Sequence, residues 1–185
     1  MYSKISLELN EVIAKARQIA IELGYHYIST LHFFLADCEI SREDSILKFA
    51  FKNDEEYLSF KEYHKVHSEG RLDLVNETLP LTIEAEIAIH ECEFERKNQQ
   101  HNLIFPCHLF IAALKNKKSI LSESFKHEEN IVEKLLKYYS DIDEVVSFKR
   151  EQENLENSTS FEENKWGKSN FSFLNIFRRI VNKKK

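Results

Sequence analysis

The sequence is poor in the residues that interrupt regular structure. Its 185 residues include only 3 Gly and 2 Pro, which is too few for the closely spaced turns of a many-stranded sandwich or barrel. A hydrophobic fraction of 42%, with 14 Phe and 7 Tyr, can still fill one core of ordinary size. An all-α domain is therefore expected, with room for a shorter segment beside it.

The chain also lacks the features that direct proteins to membranes, nucleic acids or oxidising compartments. No apolar run approaches the roughly 18 residues that span a bilayer, and Glu8 already interrupts the first apolar stretch. A net charge of -5 gives no general attraction to phosphate backbones. Cys38, Cys92 and Cys107 are odd in number and have no CxxC spacing, which favours reduced and buried thiols. We expect a cytoplasmic protein that does not bind nucleic acid.

Apolar residues recur at three-to-four spacing along the first part of the chain, which is the pattern of amphipathic helices. The first stripe runs from Leu9 to Leu23 and stops at Gly24, a residue typical of helix C-termini. Ser29 or Thr30 can then cap a second, almost wholly apolar helix. The four helices of this unit are expected at about 9–23, 30–36, 43–51 and 54–67.

The second half of the chain repeats the first at a distance of 76 residues, as His32 and His108 illustrate. Further matching pairs are Ile28 and Ile104, Phe34 and Phe110, Ala36 and Ala112, Ile13 and Ile89, and Glu8 and Glu84. The distance falls to 74 where Phe51-Lys52 matches Phe125-Lys126, which indicates a short deletion before the last helix at about 129–140. Ordered matches of this kind are typical of a tandem repeat.

One segment carries a conflicting signal. From Leu81 to Ile89, apolar residues alternate with Thr82, Glu84 and Glu86, which is the period of a half-buried strand. The same segment aligns with the first helix and is rich in Ala and Glu, which favour helix over strand. A helix is therefore predicted here.

These patterns define the expected organisation of the chain. Residues 1–140 should form a tandem pair of four-helix repeats, the first at about 1–70 and the second at about 79–140. Residues 141–170 are polar and rich in Glu, Asn and Ser, which predicts an acidic linker that does not fold alone. At 171–185 apolar residues return at helical spacing among basic ones, which predicts a short basic amphipathic helix in a mostly disordered tail.

The segment at 23–36, LGYHYISTLHFFLA, resembles the signature of the Clp N-terminal repeat domain, which precedes the AAA+ rings of the Clp unfoldases. The segment at 100–112, QHNLIFPCHLFIA, keeps the frame and the histidine, although Gln100 replaces the glycine and Pro106 the capping threonine. The resemblance covers about residues 1–140 and implies an all-helical fold of eight helices. It also implies a non-catalytic module whose partner is a Clp-type AAA+ ATPase, its adaptors or its substrates.

We expect no ATPase module within these 185 residues. Gly167-Lys168-Ser169 supplies only the second half of a P-loop, because Glu162 stands where the first glycine should lie. The resemblance therefore implies a standalone recruitment module that serves as an adaptor or regulator in protein quality control. We expect no enzymatic activity.

The resemblance also bears on what the module contacts. Some family members bind phosphoarginine through a glutamate just before the signature histidine, and this chain has Leu31 and Cys107 there. A carboxylate clamp for a guanidinium is thus absent, and apolar protein contacts are expected instead. The candidate contact residues are Tyr25, Tyr27, Leu31, Leu103, Phe105 and Cys107. The alternative is that most of them pack between the repeats.

Two groups of residues have the chemistry of metal ligands but not the number. His64 and His67 lie three residues apart on a predicted helix, and His90 lies two residues from Cys92. Zinc requires three or four convergent ligands, and each group supplies only two. We therefore expect neither a metal nor another cofactor.

The remaining histidines and cysteines have structural explanations. His32 and His108 occupy equivalent positions at the start of a buried helix, where a ring nitrogen can satisfy nearby backbone groups. Cys107 precedes His108 directly, but neighbours on a helix point about 100° apart, so their adjacency does not create a catalytic pair. No catalytic residue is predicted.

The tail is a second candidate contact. The amphipathic pattern at 171–185 suits an anionic membrane surface, a groove on a partner, or the protein's own domain. The residues expected to make this contact are Phe173, Leu174, Phe177, Arg178, Arg179 and Ile180. An interaction scaffold tethered to a membrane or partner through this segment, unrelated to proteolysis, is the alternative function.

Overall fold

The computed structural model describes residues 4–40, 50–66, 79–127 and 130–140, which are mainly helical, as predicted. The helices are α1 Leu7–Glu22, α2 Thr30–Glu39, α3 Asp54–Tyr63, α4 Ile83–Asn98, α5 Pro106–Lys115, α6 Ile120–Ser124 and α7 Ile131–Ser140. Two short strands are β1 Lys4–Ile5 and β2 Leu103–Ile104. The helix expected at 43–51 lies outside the described residues except for its last two positions, and the linker and tail helix expected at 141–185 lie outside them entirely. None of the helices in these ranges combines the length and the apolar character that crossing a bilayer requires.

The helices recur at the spacing that the sequence predicts. Helices α1 and α4 begin 76 residues apart, as do α2 and α5, and the two members of each pair have equal lengths. Phe51 and Phe125, which match at a distance of 74, each follow the end of a helix. The final helices α3 and α7 begin 77 residues apart, so a three-residue insertion follows the predicted deletion.

Equivalent hydroxyl groups begin the first helix of each half. The Oγ of Ser6 accepts the Leu9 N–H at 3.1 Å before α1, and the Oγ1 of Thr82 accepts the Ala85 N–H at 3.3 Å before α4. The first turn of a helix leaves its amide groups without partners inside the helix, and a side-chain oxygen supplies one. These two residues therefore set where α1 and α4 start.

The same two helices end in the same tight turn. Behind α1, Gly24 has φ 84°, and the N–H groups of Gly24 and Tyr25 donate to carbonyls of the last helical turn at 3.0 and 2.8 Å. Behind α4, Gln100 has φ 58°, and the N–H groups of Gln100 and His101 make the same two bonds at 3.1 Å. Glycine suits this position because it has no Cβ to clash with the backbone. The second repeat thus builds the turn with a less favourable residue.

Short backbone pairings join the two halves reciprocally. Strand β1, which leads the first half, pairs in parallel with β2 of the second half. In the reverse contact, the Ile28 N–H donates to the Pro80 carbonyl at 2.8 Å and the Thr82 N–H donates to the Ile28 carbonyl at 2.9 Å. The leading segment of each half is therefore hydrogen-bonded to the turn of the other half. The backbone N–H and C=O groups of these segments have their partners only when both halves are present.

The core between the halves is rich in phenylalanine. The fully buried Phe34 ring contacts Phe51, Phe60, Phe110 and Phe125, with ring centroids 5.1 to 6.2 Å apart. These rings come from both halves of the chain. Burial of aromatic rings removes large apolar areas from water and adds favourable edge-to-face contacts, so this cluster holds the halves together.

The strand-like alternation at 81–89 has a structural explanation. The segment is helical from Ile83, which confirms the predicted helix. Ala85 and Ile89 face the core and are fully buried, whereas Ile83 and Ile87 are exposed. The alternation therefore comes from apolar residues on two opposite faces of one helix and not from a pleated strand.

Candidate protein-contact site

The two signature histidines each close the start of a helix. At α2, the Ser29 N–H donates to Nδ1 of His32 at 2.9 Å, and the His32 N–H donates back to the Ser29 carbonyl at 3.1 Å. At α5, the Phe105 N–H donates to Nδ1 of His108 at 2.8 Å, and the return bond is again 3.1 Å. Both rings satisfy backbone donors that a helix start leaves open, which confirms the structural role predicted for them.

The hydrogen bonds of these caps fix the tautomer of both rings, and burial of the rings fixes their protonation state. A backbone N–H can only donate, so Nδ1 is an acceptor and the ring proton lies on Nε2. Burial lowers the pKa of His32 to about 4, with a smaller contribution from His64. Burial likewise lowers the pKa of His108 to about 3, and the neighbouring His101 adds to the effect. Both imidazoles are therefore neutral at physiological pH, the form in which they can cap a helix.

The outer nitrogens of the two rings have different surroundings. Nε2 of His108 lies 2.9 Å from Nδ1 of His101, which can accept its proton. Tyr25 takes the place of His101 in the first repeat, 76 residues earlier. Its ring contacts His32 in a T-shaped arrangement at 4.7 Å, and no hydrogen-bond partner reaches Nε2 of His32 among the described residues. The first site is therefore lined by aromatic rings and the second by a polar histidine pair.

Tyr25 and Tyr27 form the outer part of the first site. Their rings make a T-shaped contact at 5.3 Å beside His32. The Tyr25 hydroxyl donates to the His64 carbonyl at 2.9 Å, which anchors this ring to the end of α3, and burial together with Tyr27 raises the pKa of Tyr25. Tyr27 is 37% exposed. A ring held between such neighbours loses little conformational entropy when a partner binds.

Three of the candidate contact residues are buried. Leu31, Leu103 and Cys107 are 1%, 4% and 1% exposed, so they have almost no surface to offer a partner. They pack in the interior, as the alternative of packing between the repeats predicts. Burial also raises the pKa of the Cys107 thiol, which keeps the sulfur protonated and unreactive. The surface candidates that remain are Tyr25, Tyr27 and Phe105.

Phe105 is the outer residue of the second site. It is the N-cap residue of α5 and is partly buried. Its ring lies 5.7 Å from His101 and 5.9 Å from His108. The structure thus places Tyr25 and Tyr27 around one histidine cap and Phe105 around the other. The caps are related by the repeat, but the rings are not, since Phe105 matches Ser29.

A polar contact at the first site was not predicted from the sequence. The Glu84 carboxylate accepts the Thr30 N–H at 3.0 Å and the Thr30 hydroxyl at 2.7 Å. It also accepts the Thr82 hydroxyl at 2.7 Å. A carboxylate at the start of α2 is favoured by the helix dipole, so Glu84 joins the halves. The match of Glu84 with Glu8 in the repeat was the sequence signal that could have drawn attention to this carboxylate. The same pair of bonds is not available in the second copy, because Pro106 replaces Thr30 and has no N–H to donate.

Two solved structures with a similar arrangement of helices identify the fold. The N-terminal domain of Hsp104 from Candida albicans is similar over 75% of this chain and 91% of its own, with a TM-score of 0.58 and 14% identity. The N-terminal domain of the caseinolytic protease associated chaperone ClpD from Arabidopsis thaliana is similar over 73% of this chain and 91% of its own, with a TM-score of 0.55 and 14% identity. The fold is Clp N-terminal domain-like. No protein-family model matches the sequence, and no curated protein is significantly similar to it.

The residues considered as metal ligands have separate surroundings in this Clp N-terminal domain-like fold. His64 packs against Phe60 with ring centroids 4.7 Å apart, and His67 lies outside the described residues. Cys92 is fully buried, and burial raises the pKa of its thiol. His90 lies on a different side of α4. Among the described residues, no three His, Cys, Asp or Glu side chains are grouped as a metal ion would require.

The same Clp N-terminal domain-like fold carries an exposed apolar surface that the sequence analysis missed. Ile83, Ile87 and Phe94 are 78%, 44% and 57% exposed, and we call these three residues the α4 stripe. Positions four and seven residues apart share one face of a helix, so the three side chains lie in a row. The strand-like alternation at 81–89 was the signal that could have revealed this second apolar face.

Proposed function

We propose that this chain is a non-catalytic protein-binding module that recruits a partner through aromatic side chains at its two histidine-capped helix starts. The observation that carries the proposal is the Tyr27 ring, which is 37% exposed and is held in place by Tyr25 and His32. Phe105 supplies a second ring beside the histidine cap of the other repeat. The fold supports the proposal, since one similar domain belongs to a chaperone associated with the caseinolytic protease.

Preorganised rings suit a protein surface as the partner. Aromatic residues are enriched at the energetic centres of protein interfaces, because they bury a large area and have few rotatable bonds. The histidine caps and the Tyr25 hydroxyl bond order both loops before any partner arrives. The entropy that a partner would otherwise lose in ordering these loops is therefore avoided.

The proposed partner is a Clp-type AAA+ ATPase, one of its adaptors or a substrate protein. In this proposal the chain is an adaptor or regulator of protein quality control in the cytoplasm. This choice of partner and role follows from the resemblance of the segments at 23–36 and 100–112 to the Clp repeat signature. The partly exposed aromatic residues give that expectation a defined surface.

A double variant with a matched control tests this aromatic surface. Tyr27→Ser combined with Phe105→Ser removes both rings, and the second change installs at the start of α5 the serine that Ser29 provides before α2. The helix start therefore keeps a favourable N-cap residue. Leu58→Ser is the control, because Leu58 is a large apolar side chain that is 59% exposed on α3.

Each full-length protein is immobilised and incubated with native cell lysate, and bound proteins are quantified by mass spectrometry. The Clp ATPase of the same cells is then titrated in purified form. We expect wild type and the control to bind a Clp component. The double variant should lose affinity by about 30-fold per ring, since an aromatic hot spot contributes about 2 kcal/mol. Equal binding by all three proteins, or no Clp component with any of them, contradicts the proposal.

The second candidate function is a scaffold tethered through residues 171–185. The observation in its favour is the sequence of that segment, in which five Lys or Arg residues accompany apolar ones and no Asp or Glu is present. Arg178→Glu with Arg179→Glu should then abolish binding of the full chain to anionic vesicles. Vesicle binding with this dependence, and no Clp component bound to the chain, would favour tethering over recruitment.

A further inference from the structure

We infer that the α4 stripe is the docking site for the chain's own C-terminal segment at 171–185. The stripe lies on the outer face of α4, opposite the fully buried Ala85 and Ile89. Large apolar side chains left in water are unfavourable, and a row of them marks a contact surface. The stripe is separate from the two aromatic sites, so this inference does not rest on the proposed function.

The first repeat shows that the fold does not require apolar residues at two of these three positions, although Leu7 matches Ile83. Helix α1 is equivalent to α4, and Glu11 and Gln18 occupy in it the positions that Ile87 and Phe94 have in α4. Both polar residues are exposed. Since the equivalent helix forms with polar side chains there, packing of the domain does not explain Ile87 and Phe94. A contact with another surface does.

The rim of the stripe is mainly acidic, because the exposed Lys97, three residues after Phe94, is paired with Glu93 at 3.6 Å. This charge restricts its occupant. Glu86 and Glu91 are exposed, and helical geometry places one on each side of the stripe. Symmetric pairing with a second copy of the chain would bring these like-charged rims together. An apolar segment with positively charged flanks is the complementary occupant.

The C-terminal segment has this chemistry. Phe173, Phe177 and Ile180 recur at the spacing of one helix face, and the segment has five basic and no acidic residues. Because the whole chain has 26 basic and 31 acidic residues, the other 170 residues carry 21 and 31, a net charge of -10. The long-range electrostatic attraction of the segment is therefore toward the rest of its own chain.

The length of the chain permits the contact. Residues 141–170 separate α7 from the segment, and a coil of 30 residues has a root-mean-square span of roughly 30 Å. A domain of about 140 residues has a radius of gyration of about 14 Å, so most of its surface lies within this span. A tether of this kind gives an effective concentration of roughly millimolar order, so even a weak contact is occupied.

Paramagnetic relaxation in the full chain tests the docking. A nitroxide is attached at Asn182→Cys, and the three native cysteines are all buried, so the chain without this substitution should take up little label. We expect the methyl signals of Ile83 and Ile87 to lose intensity. The methyl signals of Leu58, which is 59% exposed on α3, should keep theirs.

Two sets of substitutions test which features hold the segment. Ile87→Glu combined with Phe94→Gln installs the residues of the first repeat, so it should restore the Ile83 signal and leave the melting temperature unchanged. Glu86→Lys with Glu91→Lys should also restore the signal, because it reverses the charge of the rim. Glu55→Lys, at an exposed glutamate of α3, is the control that should change nothing.

Three results would overturn the inference. Equal signal loss at Leu58 and Ile83 would show that the segment has no preferred site. Signal loss in isotope-labelled chains mixed with separate spin-labelled chains would show docking between copies. An unchanged Ile83 signal together with binding of the segment to phosphatidylserine vesicles would show that a membrane is its target.

Discussion

Replacement of Gln100 by glycine should stabilise the protein. Gln100 closes the end of α4 with φ 58°, in the left-handed region where a Cβ is crowded by the backbone. This conformation costs a residue with a side chain roughly 1–2 kcal/mol. Glycine also makes the unfolded chain more flexible, which returns about 0.4–1 kcal/mol of that gain. The free energy of unfolding should therefore rise by roughly 0.5–1 kcal/mol.

The chain provides two matched controls for this change. Gly24 occupies the equivalent turn of the first repeat with φ 84°, so Gly24→Ala should lower the free energy of unfolding by about 1 kcal/mol or more. Gln99 is the neighbour of Gln100 and has φ -83°, which any residue adopts. Gln99→Gly should therefore destabilise the protein by about 0.5–1 kcal/mol.

Urea unfolding followed by far-ultraviolet circular dichroism measures all three variants. The comparison is valid when the denaturant slope is the same for each, because a changed slope indicates a change in the denatured or native state. A gain of 0.5–1 kcal/mol corresponds to a rise of about 1–4 °C in melting temperature for a domain of this size. If Gln100→Gly destabilises the protein as much as Gln99→Gly does, the conformation of Gln100 is not strained and the reasoning is wrong.

The caps and the buried thiols lead to further expectations. His32 and His108 have folded pKa values below the unfolded value of about 6.5, so the unfolded state binds more protons. Stability should be constant above about pH 7 and fall as the pH is lowered from about 6.5 toward the folded pKa values of about 4 for His32 and about 3 for His108, by at most about 1.4 kcal/mol per pH unit for each ring. Urea titrations at stepped pH measure this, and a flat profile would count against the buried neutral caps. Glu84→Gln should lower the free energy of unfolding by about 1–2 kcal/mol and the exposed Glu86→Gln by less than about 0.5, and equal losses would remove the role assigned to Glu84. The three cysteines should react with a thiol reagent only as fast as the protein opens, and rapid reaction in native buffer would contradict their burial.

The sequence by itself determined the helical class and the repeat. The distance of 76 residues between His32 and His108 reappears as the distance between the starts of equivalent helices. Helical spacing, N-cap residues and the glycine stop are local properties, and they act through neighbouring backbone groups. They can therefore be interpreted without knowledge of the rest of the molecule, and so could the structural role of the two histidines.

Only the tertiary structure decided which apolar residues are inside and which are outside. Leu31 and Cys107 were candidates for the surface and are buried, whereas Ile83 and Ile87 lie outward on a helix whose other side is buried. The helical period relates residues on one helix to each other, but it does not say which face meets a neighbour. That choice, like the contact of Glu84 with Thr30 across 54 residues of sequence, depends on how the two halves pack against each other.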